Sequence, residues 1–144
     1  MRGAEWHKSR SHRRRCFDLD GSVAVFLVLA SAFGAAGIAL AAADAHAARN
    51  AGLDSAASIL LYHALAILGG AALLIQGLLS RPLALIALAG WSLGTILFSG
   101  EIASRAFVQH RLFPMAAPTG GIILILSWLL LAAAALVKAF DHFA

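Results

Sequence analysis

Residues 21–43 read GSVAVFLVLASAFGAAGIALAAA, an apolar run without one charged side chain. At 1.5 Å per residue a helix of this length extends about 35 Å, enough to cross a hydrocarbon core of about 30 Å. The pattern recurs at residues 56–79, 82–104 and 119–138. Four such runs predict an all-α fold, an integral membrane bundle of four transmembrane helices. The composition agrees with lipid as solvent. Hydrophobic residues make up 61% of the chain and charged residues 12%, whereas a soluble domain carries about 25% charged residues.

The charge is concentrated. Arg2, Lys8, Arg10, Arg13, Arg14 and Arg15 precede the first run. Residues 1–20 are expected to form a basic, disordered cytoplasmic tail, and residues 21–144 the transmembrane domain. Beside a membrane span, such a tail fixes orientation or meets anionic headgroups. No nucleic-acid partner is expected. Counting Lys and Arg in the flanks puts the six of the tail, Arg81 and Lys138 on one side. Arg49, Arg105 and Arg111 fall on the other. The positive-inside rule makes the first side cytoplasmic, with both termini inside. The 44–55 and 101–118 loops then face outward. Trp91 and Trp128 lie within spans and read as packing residues.

Two features of the first span compete with this reading. Arg14-Arg15-Cys16-Phe17 contains part of a twin-arginine export signal, and Ala43-Asp44-Ala45-His46-Ala47 offers cleavage sites. The apolar run is longer than the 7–15 residues typical of a signal peptide. An uncleaved span is therefore expected. Cys16, the single cysteine, excludes an internal disulfide and a cysteine-rich metal site. Palmitoylation beside the membrane is chemically open to it, and an idle thiol is the expectation.

Between lipid-facing helices, close packing rests on small residues. Gly90 and Gly94 form a G-x-x-x-G in span 3. Ser92, Thr95 and Ser99 lie on nearly the opposite stripe. Span 3 is thus expected to touch protein on both sides, either centrally within the bundle or against a second copy or a larger membrane complex. In span 2, His63, Ala66, Gly70 and Gly77 share a face. His63 is the most polar group at depth. It reads as an interhelical hydrogen bond fixing packing or as a proton-relay, metal or ligand-binding group.

A candidate polar site emerges on the outer half: His46, Tyr62, His63, Ser99, Thr119, Gly120 and Gly121. The two glycines, at the start of span 4, expose backbone N–H groups able to receive an anion or carbonyl. Asp44, Asp54 and Glu101 lie at the outer helix ends. They lack metal-ligand spacing and are expected to be solvated, so no metal is assigned. His46 and His63 differ too much in depth for a bis-histidine haem, and no cofactor is expected. No serine sits in a nucleophile elbow, and no phosphate-binding loop occurs. The chain is expected not to be an enzyme.

Four segments resemble, in order, the YgdD-like family of small four-span inner-membrane proteins. This family is domain of unknown function 423, related to transmembrane protein 256. The segments are Ala45-His46, Tyr62-His63-Ala64-Leu65-Ala66-Ile67-Leu68, Leu93-Gly94-Thr95-Ile96-Leu97-Phe98-Ser99-Gly100, and Pro118-Thr119-Gly120-Gly121 with the later Trp128. The likeness covers about residues 25–138. Asp44 stands where the family has Gly, and Glu101 where it has a small polar residue, so Glu101 is not expected to share in a family mechanism. The resemblance implies an uncleaved first span and a bacterial inner membrane, and supplies no reaction. The leading expectation is an accessory or structural membrane component. The alternatives are a small transport or ligand-binding protein with a polar cavity open to the outer side, and a membrane redox or metal-binding protein.

Overall fold

The computed structural model describes residues 21–46, 52–110, 112 and 114–143. They form four helices: α1 (Gly21–His46), α2 (Leu53–Ile75), α3 (Arg81–Phe107) and α4 (Ala116–Phe143). Each is long and apolar enough to cross a membrane. The basic tail, Cys16 and Arg49 lie outside the described residues. Short connections make neighbouring helices antiparallel. The α2–α3 link therefore sits at the end of the bundle where α1 starts and α4 finishes, here the termini end. The opposite end carries the other two connections, and is the loop end.

The helix bounds differ from the expected ones for local reasons. The second apolar run predicts helix to residue 79, but α2 ends at Ile75. Gly77 adopts a left-handed conformation with φ 74°. The Gly77 N–H donates to the Leu74 carbonyl (3.0 Å) and the Leu78 N–H to the Leu73 carbonyl (3.1 Å). These are the two bonds of a Schellman termination, in which glycine supplies the positive φ. Leu78 and Leu79 are apolar yet lie in the link, because hydropathy does not register a backbone reversal. Pro82 stands at the start of α3, where its missing N–H costs nothing. The Ser80 N–H reaches across to the Ala134 carbonyl of α4 at 3.0 Å, tying the link down.

The bundle has two central and two outer helices. Within the most apolar stretches, 39% of α2 and 44% of α3 is buried, against 22% for both α1 and α4. The extensive contacts are α3 with α4 and α1 with α2. The α2–α3 contact is smaller, and α1 touches α3 only marginally. Large side chains such as Val28, Leu65, Ile86, Ile125 and Leu129 point outward. In water this would be an aggregating surface; in lipid it is the required one. Because both faces of α1 are apolar, size rather than polarity separates inside from outside. Ala30, Ala56, Ala64, Ala71, Ala84, Ala87 and Ala134 are buried, as close approach between helices demands.

The two stripes of α3 both face protein within the chain. Gly90 and Gly94 pack on α4, where a methyl added to Gly90 would meet the Ser127 hydroxyl and one on Gly94 would meet Leu124. On the other side the Ser99 hydroxyl donates to the Ala56 carbonyl of α2 at 3.1 Å. Gly70 of α2 lies against Leu88 and Trp91 of α3. Span 3 is therefore central in the bundle, and its Gly and Ser/Thr stripes are already covered.

Candidate functional site

His63 sits in the middle of α2 and is 6% exposed. Ten residues separate it from Leu53, which corresponds to a depth of roughly 15 Å. Its Nδ1 lies 2.9 Å from the Ile59 carbonyl. A carbonyl only accepts, so the proton resides on Nδ1. This bond stays within α2; the interhelical bond expected at His63 is not the one made. The reason is the company. The His63 ring packs edge-on against Trp91 of α3 and Trp128 of α4, with centroids 6.3 and 6.4 Å away. The two indoles are 4.5 Å apart.

Three buried polar atoms in this region have no hydrogen-bond partner: His63 Nε2, Trp91 Nε1 and Thr95 Oγ1. Trp91 and Thr95 are one helical turn apart on α3 and are 1% and 0% exposed. A buried polar group left without a bond costs about 1–3 kcal/mol, so a set of three is unusual for a core.

Thr95 also lines a lateral groove of about 410 Å³ between α1 and α3, together with Phe33, Ala36, Leu40, Leu60 and Ser99. The groove exists because α1 pairs with α2 and barely reaches α3, while Ala36, Ala39 and Ala103 are too small to fill the gap. Its position along the helices is toward the loop end. Its walls are almost wholly carbon: the Ser99 hydroxyl is turned to the Ala56 carbonyl of α2, and the Thr95 hydroxyl is buried rather than exposed on the wall.

The residues expected to form one outer polar cluster are thus distributed. Ser99 is buried and lines the groove. Tyr62 points out of the bundle at 66% exposure. It follows from geometry: neighbours on a helix are about 100° apart, so burying His63 turns Tyr62 to the lipid. Thr119 is exposed at the start of α4. Gly120 is buried, but against the backbone of Phe98 and Gly94, as a packing position rather than an open N–H site. Gly121 has nothing within 4 Å of an added methyl. His46 is the last residue of α1, and its side chain lies outside the described residues. No group of three or more His, Cys, Asp and Glu comes together among the described residues.

Glu101 differs from expectation. Instead of being solvated it is 0% exposed. One carboxylate oxygen takes the Arg105 Nε–H at 2.6 Å and the other the Leu112 N–H at 2.8 Å. The Ser104 hydroxyl adds a bond to the His110 carbonyl at 2.8 Å. The carboxylate is therefore a staple that folds the α3–α4 connection back over the helix end, and α3 runs on to Phe107 because its charge is met. The Glu101–Arg105 spacing of one helical turn was the available signal, since oppositely charged residues four apart meet on a helix.

The model of a family described as "Protein of unknown function (DUF423)" matches residues 30–121. That range contains the groove, Glu101 and Gly120. A UPF0382 membrane protein of Haemophilus influenzae is 26% identical over 80 residues, which cover 56% of this chain and 62% of that protein. No solved structure matches the chain.

Proposed function

The chain belongs to the DUF423 family of proteins of unknown function, four apolar helices deep in a membrane, and from that premise we propose that it is a binding protein for a bilayer-borne molecule. The ligand class is a long apolar chain carrying one carbonyl or hydroxyl. The observation that carries this reading is the α1–α3 groove lined by Thr95, whose buried hydroxyl has no partner. A groove of about 410 Å³ opening sideways at membrane depth is reached from the lipid, not from water. Apolar walls supply contact area, and the Thr95 hydroxyl fixes register along the chain once a ligand turns it into the groove. This replaces a polar cavity open to the outer side with an apolar one open to the bilayer. An accessory role through span 3 has less support, because the Gly90–Gly94 stripe of α3 is covered by α4 and Ser92, Thr95 and Ser99 are buried within the bundle. The basic flank and the bacterial relative support a bacterial inner membrane with both termini cytoplasmic.

The test is the organic-soluble material retained when the full chain is purified in mild detergent, quantified by mass spectrometry. Wild type is expected to hold one apolar species above the bulk-lipid background. Thr95→Val removes the hydroxyl at nearly constant shape and should lower retention about fivefold, the worth of one hydrogen bond. Ala36→Phe fills the groove and should abolish retention while the protein still accumulates. Equal retention in all three proteins sinks the reading.

A further inference from the structure

A second cavity, also of about 410 Å³, lies at the termini end, far from the groove. Its floor is apolar, formed by Leu74 and Leu79, which are 7% and 5% exposed. Its rim is polar: Ser80, Arg81, Lys138 and Asp141. Gly77 creates the hollow, because its left-handed turn throws the chain away from the α2 axis before α3 begins. The Ser80–Ala134 backbone bond then fixes the far wall to α4.

The charge and the donors suit one ligand chemistry. Among the described lining residues, Arg81 and Lys138 come from different helices and Asp141 is the one carboxylate. Ser80 occupies the N-cap of α3, yet its hydroxyl makes no bond to the helix it starts. A hydroxyl at that position ordinarily caps the first turn; here it makes no such bond, and Ser80 lines the hollow. The apolar floor lies deeper than the charged rim, which is the order of parts in a phospholipid: hydrocarbon below, phosphate above. Basic pockets between transmembrane helices on the cytoplasmic side suit anionic headgroups.

We infer that this hollow between the α2–α3 link and the end of α4 is a binding site for an anionic phospholipid. The phosphodiester meets Lys138, Arg81 and the Ser80 hydroxyl, and the first acyl carbons lie on Leu74 and Leu79. Asp141 disfavours a second negative charge beside the first, so a headgroup with one phosphate fits better than a polyphosphate.

The test is native mass spectrometry of the full-length protein in detergent, titrated separately with phosphatidylglycerol, phosphatidylcholine and inorganic phosphate. Wild type should retain phosphatidylglycerol in preference to phosphatidylcholine and give no response to phosphate alone. Lys138→Gln should weaken phosphatidylglycerol binding about fivefold, the share of one basic residue near an anionic surface. Lys138→Arg should keep it. Arg49→Gln, in the segment between α1 and α2, makes the same charge change and should leave binding unaltered. Four results overturn the inference. They are equal retention of both lipids, an unaffected Lys138→Gln, an equal loss in Arg49→Gln, and phosphate alone binding as well as the lipid.

Discussion

Gly120→Ala should cost about 3 kcal/mol of stability, the upper end for forcing an extra carbon into a packed interface. At Gly120 the added methyl would lie 2.7 Å from the Phe98 nitrogen and 2.8 Å from the Gly94 oxygen. Both are backbone atoms of α3, so no side chain can swing aside. The helices must separate, and the α3–α4 packing weakened in this way is among the most extensive in the bundle. Gly94→Ala should cost less, because its nearest obstacle is the Leu124 side chain at 2.8 Å, which can change rotamer, and the backbone atom it meets, the Gly120 oxygen, is farther off at 3.0 Å. Gly121→Ala is the control. Nothing lies within 4 Å of its added carbon, and alanine favours the helix, so stability should hold or rise slightly. Melting temperatures in one detergent rank the three variants. A Gly121→Ala loss equal to that of Gly120→Ala would show that the close α3–α4 crossing does not govern the loss.

The second large effect is expected at Glu101. Glu101→Leu should remove about 2–3 kcal/mol, because the Leu112 N–H loses its acceptor. Glu101→Gln retains a carbonyl for that N–H and should cost about half as much. Arg105→Gln should cost under about 1 kcal/mol, since the Arg105 side chain is 48% exposed and its half of the ion pair is screened by solvent. Amide exchange at Leu112 is the sharper readout. It should accelerate at least tenfold in the leucine variant and least in the arginine one. If Arg105→Gln releases Leu112 as fully as Glu101→Leu does, the staple acts through the ion pair and not through the carboxylate–amide bond.

Much of the architecture was legible in the chain. Runs of apolar residues have one outcome in lipid, because an unsatisfied backbone there forces helices. The central place of span 3 was written in its two stripes, Gly90 with Gly94 and Thr95 with Ser99. The ends of helices were less legible. Leu78 and Leu79 continue the apolar run past the point where Gly77 turns the chain, and Glu101 looked like a terminus although Arg105 and Leu112 absorb its charge. The site was the least legible part. The inward turn of His63 was legible from the small residues on its face, whereas the expected site groups Tyr62 with it, although a step of about 100° turns Tyr62 to the lipid. The groove has no motif at all. It arises from the mismatch between a tight α1–α2 pair and a distant α3, a quantity spread over three helices. Thr95 carried no signal beyond being a hydroxyl on the stripe that packs inward.

The uneven contacts also bear on how the molecule is made. The tight pairs, α1 with α2 and α3 with α4, are consecutive in the chain, so each is a helical hairpin able to enter the bilayer and close as it is synthesised. The α2–α3 seam, with the marginal α1–α3 contact beside it, must wait for both hairpins. The unpartnered atoms of His63, Trp91 and Thr95 all lie on the central helices along that seam. The least satisfied part of the interior is thus assembled last, where two finished halves meet and where separation would least disturb either.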